Sequence, residues 1–256
     1  MNKIENKFKE LNGKSAFIAF LTSGHPTLEK TEELIYTLEN NGADIIELGI
    51  PYSDPIADGP VIQQAGQNSL DNGTKIKDIF AMIEKVRGKS QVPLALLVYY
   101  NSIFAHGIAN FVEKCEKAQI DGLIIPDLPL EERVELLEAL EGKNVGLIPL
   151  VAPNSNERIG EITKEGRGFV YCVSSFGVTG TREKFEVDMK EYLDKVRTYT
   201  NLPLAVGFGI SNNEDVRSFA NIADGIIVGS AIVSKVEESD GDSKIVGDFV
   251  RTLCER

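Results

Sequence analysis

The chain has 256 residues, 39 of them acidic and 27 basic, for a net charge of −12, and 42% are apolar. An acidic chain without a basic stripe argues against nucleic acid and anionic membranes as partners, and no apolar run reaches membrane-spanning length. Three scattered cysteines and two histidines suggest neither a disulfide framework nor a metal cluster, and a charged N-terminus without a signal-peptide pattern points to the cytoplasm.

In chain order, MNKIENKFKELNGK reads as an amphipathic helix, followed by an apolar strand run over Ala16–Leu21. Leu28, Leu34, Ile35 and Leu38 mark the next helix, and Ile45–Gly49 the next strand. The long segment from Ile50 to Gln91 has room for an extra helix around Val61–Leu70. Strand runs follow at Leu94–Tyr99, Gly122–Ile125, Val145–Leu150 and Gly168–Val173, with a helix carried by Leu130, Val134 and Leu137. The segment from Ser174 to Leu202 opens with SSFGVTGTRE, a composition suited to a mobile lid. Strand runs at Leu204–Gly207 and Gly225–Val228 close the series, with Ser211 and Glu214 forming a capping-box pattern between them. These runs are continuous in Val, Ile, Leu and Ala, as parallel strands buried on both faces are. Eight strand–helix units predict an α/β fold, a single (β/α)8 TIM barrel over 1–256 with extra helices. Periodicity leaves an open doubly wound sheet as the alternative.

The segment ELGIPYSDPIAD places one carboxylate, Glu47, inside an apolar strand and another, Asp58, in a Pro- and Gly-rich turn. Unequal solvation gives two acids different protonation states at one pH, which suits proton transfer. The plainer alternatives are an ion-paired buried glutamate and an Asx-turn aspartate. Tyr171 stands near a strand end and could turn its hydroxyl toward an acid. Phe20, Tyr99 and Phe208 also stand near strand ends, where aromatics can sandwich a flat apolar ligand. Glycine turns follow three late strands, at Gly177–Gly180, Gly207–Ser211 and Gly229–Ile232. Such turns, with helix N-termini behind them, suit a phosphate held by backbone N–H groups. No P-loop pattern is present.

ELGIPYSDPIADGPVIQQA closely resembles the signature of the tryptophan synthase α subunit family. The resemblance continues in order through TSGHP, LLVYYNSIF, GLIIPDLPLEE, SSFGVTGTRE, VGFGIS and VGSAIV, over nearly the whole chain. It implies a carbon–carbon lyase of tryptophan biosynthesis that cleaves indole-3-glycerol phosphate to indole and glyceraldehyde 3-phosphate. By the same resemblance Glu47 is the general acid–base, Asp58 binds the indole N–H, and Tyr171 stands beside the glutamate. Thr179 is the lid threonine; Gly180, Gly209, Gly229 and Ser230 form the phosphate site; Phe20, Tyr99 and Phe208 line the indole pocket. The resemblance implies no metal and no cofactor in this chain. It implies a β subunit carrying pyridoxal phosphate, joined in an α2β2 complex and facing Pro51–Asp54. Ser175 and His25 stand where many relatives have Arg and Asp. The competing functions are a related phosphate-binding barrel enzyme, a stand-alone indole-releasing lyase and a mainly regulatory binding subunit. The first of these, as an indole-3-glycerol phosphate synthase, would need an inner-face lysine that the strand runs lack.

Overall fold

Side chains alternate along a strand, and here the two sets are buried in different places. In β1 (Ala16–Thr22) every residue is buried. Ala16 and Ile18 join one apolar cluster with Ile45 of β2 (Ile45–Gly49) and Ala95 of β3 (Leu94–Leu97). Phe17, Ala19, Leu21, Ile46 and Leu48 join a second cluster with Leu34, Ile35 and Leu38 of helix α2 (Leu28–Asn40). The first set fills the inside of a ring of strands; the second lies between the strands and the helices around them.

The computed structural model describes residues 2–173, 189–207 and 209–255. The ring is completed by β4 (Gly122–Ile124), β5 (Gly146–Ile148), β6 (Leu150–Val151), β7 (Val170–Val173), β8 (Leu204–Gly207) and β9 (Gly225–Val228), in the order β5-β4-β3-β2-β1-β9-β8-β7-β6. All neighbours are parallel. The two ends of that order, β5 and β6, are separated in sequence by Pro149 alone. The sheet therefore closes on itself, and the open doubly wound alternative falls. The predicted strand Val145–Leu150 is corrected to two ladders, β5 on β4 and β6 on β7. Pro149 has no N–H to donate, and its carbonyl accepts the Tyr171 N–H at 2.8 Å.

Helix α1 (Lys3–Glu10) carries a reciprocal capping box from Asn2 and Glu5 and sends Ile4 into the inner cluster. Asn2 also donates to the Asp121 carbonyl at 2.7 Å, tying this helix to the start of β4. The expected extra helix is α3 (Pro60–Asp71), opened by Pro60 after Gly59. It is followed by α4 (Ile76–Arg87), α5 (Tyr100–His106) and α6 (Ile108–Lys117). The helix expected through Leu130, Val134 and Leu137 is a 3₁₀ turn at Leu130–Glu132 followed by α7 (Val134–Leu140). The change of pitch at Arg133 turns Val134 outward, 61% exposed, while Leu136 and Leu140 are buried. Then come α8 (Ile159–Lys164), α9 (Met189–Arg197), α10 (Asn213–Ala220), α11 (Ser230–Glu238) and α12 (Ser243–Cys254). The cap of α10 is Asn212, whose side chain accepts the Asp215 N–H, rather than Ser211 with Glu214. Ser211 instead donates its N–H to the Asp215 carboxylate at 2.9 Å. Among the described residues no helix is long and apolar enough to cross a membrane.

Candidate active site

Strand alternation puts Glu47 on the inner face with Ile45, and the β1–β2 register sets it opposite Phe20. Glu47 is 1% exposed, and its Oε2 has no hydrogen-bond partner among the described residues. Burial, reinforced by the charge of Asp58, pushes its pKa up to about 8. At neutral pH Glu47 therefore holds its proton.

Asp58 lies in the loop that links β2 to α3. The loop is folded by an Ile56 N–H to Asp54 carbonyl bond of 3.0 Å and an Asp58 N–H to Pro55 carbonyl bond of 3.1 Å. Asp58 is half-buried, and desolvation raises its pKa to about 6 against a hydrogen bond from Tyr99 that favours the anion. At neutral pH it is ionised. Burial first, then the charges of Glu47 and Asp58, hold the Tyr171 hydroxyl well above its usual range. The three expected catalytic residues thus come together near the carboxyl ends of the strands, where barrel sites are built.

A pocket opens at this end, walled by Phe20, Leu97, Asp58 and Ile62 and bounded by Thr22 and Gln63. Phe20 closes down over Gly49: a Cβ at position 49 would stand 2.6 Å from the ring. Gly229 is adjacent, since a Cβ there would lie 3.6 Å from Phe20 and 3.7 Å from Ile62. It is followed by Ser230, the first residue of α11, whose N-cap position is Gly229 and so has no side chain to cap the helix. Gly209 is exposed, with a left-handed φ of 74° that favours glycine. Thr179, Gly180 and Phe208, with the departure at Ser175, lie outside the described residues.

Tyr99 is 1% exposed, and Leu97, two residues earlier, walls the pocket. The chain turns into α5 immediately after Tyr99, which directs the ring against Tyr52 and the hydroxyl onto the Asp58 loop. His25 is buried in the loop after β1, its Nε2 3.0 Å from the carboxylate of Glu237 on α11. Burial lowers its pKa against the pull of that carboxylate.

Sequence reasoning missed Thr22, Ile62 and Gln63. The signal for Thr22 was alternation, since it follows Phe20 by two residues on the same strand face. Its Oγ1 is buried and has no partner among the described residues. Among those residues no group of three acidic, histidine or cysteine side chains could hold a metal ion.

The family model described as tryptophan synthase alpha chain matches residues 7–255. The tryptophan synthase alpha chain of Thermoanaerobacter pseudethanolicus is 52% identical over 260 residues, covering 100% of this chain and 99% of that one. The Clostridium beijerinckii alpha chain is 48% identical over 259 residues, covering 100% and 99%. Among solved structures, tryptophan synthase of Mycobacterium tuberculosis superposes with a TM-score of 0.90 at 32% identity, covering 99% of this chain and 97% of that one. A chain of the Pyrococcus furiosus tryptophan synthase α2β2 complex gives 0.86 at 35% identity, covering 94% and 97%. With its inner-face glutamate, its loop aspartate and its closed barrel, the chain belongs to the tryptophan synthase alpha chain family.

Proposed function

We propose that Glu47 and Asp58 divide the proton and charge handling of a retro-aldol cleavage. The chain is the lyase subunit of tryptophan synthase, which cleaves indole-3-glycerol phosphate to indole and glyceraldehyde 3-phosphate. As an alpha chain it uses no organic cofactor of its own, pyridoxal phosphate belonging to the β chain. In the proposed sequence, protonated Glu47 gives its proton to C3 of the indole ring. Positive charge then spreads to the ring nitrogen, and the Asp58 carboxylate, accepting the N–H, stabilises it. The C3–carbon bond breaks as the neighbouring glycerol hydroxyl loses its proton to the Glu47 carboxylate. The bond electrons return to the ring, releasing indole and the aldehyde. The observation that carries this reading is the inequality of the pair: a sealed, protonated Glu47 beside an ionised Asp58 at the pocket wall.

Phe20 and Ile62 would flank the bicyclic ring, with Tyr171 packed beside Glu47. Gly209, Gly229 and Ser230, joined by Gly180, would hold the phosphate through backbone dipoles and a hydroxyl. Thr179 would order Asp58, and Phe208 would complete the aromatic wall. The reading extends to a β subunit in an α2β2 complex, docked near Pro51–Asp54, and to a cytoplasmic location. Neither a stand-alone lyase nor a mainly regulatory subunit has an observation in its favour. Indole release from indole-3-glycerol phosphate tests the division of labour: severe loss in Asp58→Asn supports it, and a near-parent rate contradicts it. Co-elution with a β subunit on size exclusion tests the partner.

A further inference from the structure

Asp58 occupies a short loop, yet that loop is held from outside by two others. Tyr99 stacks on Tyr52 with ring centroids 5.0 Å apart and planes inclined at 20°. Its hydroxyl accepts the Ala57 N–H at 3.0 Å. An oxygen that accepts from Ala57 still has its own proton to offer, and the nearby hydroxyl favours the Asp58 anion, lowering its pKa against desolvation. One residue later, the Tyr100 N–H at the start of α5 donates to Asp127 Oδ1 at 2.8 Å. Tyr99, the residue in the cap position of α5, provides no side-chain cap. Asp127, from the loop after β4, therefore supplies from a distance the acceptor that an N-cap normally supplies locally. The loops after β2, β3 and β4 are joined in series, and the series ends on Asp58.

We propose that Tyr99 and Asp127 are positioning residues for the active site: Asp127 fixes the start of α5, which holds the Tyr99 hydroxyl against the Ala57–Asp58 segment and so orients the Asp58 carboxylate. The importance of that orientation for turnover rests on the assignment of Asp58 as partner of the indole nitrogen. Leu97 and Phe20 shape the pocket by packing, whereas Tyr99 reaches the Asp58 loop through its hydroxyl, with its ring stacked on Tyr52. The titratable groups facing Asp58 are Glu47 from β2, Tyr99 beyond β3 and Tyr171 from β7. Tyr171 stays neutral throughout the range where Asp58 titrates. A Glu47→Gln background therefore isolates the effect of the Tyr99 hydroxyl.

The test is carbon NMR titration of carboxyl-labelled aspartate in the full chain, with the Asp58 signal assigned by its loss in Asp58→Asn. A donor to the charged form lowers a carboxyl pKa, so Tyr99→Phe is expected to raise the proton affinity of Asp58 about tenfold. Asp127→Ala is expected to move it the same way by about threefold, and Asp127→Asn, which keeps an acceptor oxygen, to restore it. An unmoved Asp58 titration in folded Tyr99→Phe overturns the proposal, whatever Asp127→Ala does to folding. The acid limb of kcat for indole release in Tyr99→Phe separates the two readings. A shift matching the NMR value supports both. An Asp58 signal that moves while the limb stays supports the positioning and contradicts the catalytic assignment of Asp58.

Discussion

The Tyr171 hydroxyl lies where a side chain at residue 207 would begin: a Cβ on Gly207 would be 2.4 Å from that oxygen and 2.8 Å from Cζ. Tyr171 rises from β7 toward the end of β8, and only glycine leaves it room. Gly207→Ala is expected to push the ring away from Glu47, lowering kcat at least tenfold. The cost in stability is expected to be about 1–3 kcal/mol, as for overpacking elsewhere. Indole release and thermal unfolding of the variant check both.

The unequal acids set a pH window. Asp58 must be ionised, so activity rises as pH passes about 6. Glu47 must be protonated, so activity falls as pH passes about 8. A bell-shaped kcat profile with limbs near these values is expected, the limbs belonging to the coupled pair. Glu47→Gln is expected to lose the alkaline limb from whatever activity remains.

The same burial makes Glu47 a stability cost above its unfolded pKa. Its folded pKa is raised from 4.5 to about 8, so between those values the native chain holds a proton that the unfolded chain has released. Its contribution therefore falls as pH rises through that window and levels off above it. Glu47→Gln is expected to be more stable than the parent at pH 8 by on the order of 1–3 kcal/mol, since the new amide must also find partners. That advantage is expected to fade toward pH 4. Urea unfolding at both pH values reads it.

Thr22 offers a separation of binding from folding. Its hydroxyl is buried at the pocket wall and unpartnered among the described residues. Thr22→Val keeps the shape and removes an unsatisfied oxygen, so stability is expected to hold or rise by up to about 1 kcal/mol. KM for indole-3-glycerol phosphate is expected to rise several-fold, because a bound hydroxyl or N–H loses its partner. A change confined to stability would assign Thr22 to packing.

The barrel was legible because strands buried on both faces have little choice but to be apolar, and all eight runs fall on the ring. The break at Pro149 was hidden inside an apolar run, since a missing N–H leaves hydropathy unchanged. The cap of α10 moved from Ser211 to Asn212 because both residues can cap and only the backbone decides between them. Glu47 and Asp58 were legible as a contrast between strand and turn. The hydroxyl contact of Tyr99 with the Asp58 loop was not legible, because the sequence shows where a strand ends but not how the next helix turns the last side chain. Thr22 was missed because one hydroxyl on an apolar strand carries no pattern of its own.

The most direct test is single-turnover indole formation from indole-3-glycerol phosphate by folded Glu47→Gln. A positioned general acid contributes roughly 10²–10⁴-fold, so a loss of about 10³-fold is expected, with thermal stability at pH 8 equal to or above that of the parent. A rate within tenfold of the parent would contradict the role of a sealed, protonated Glu47 as the proton donor.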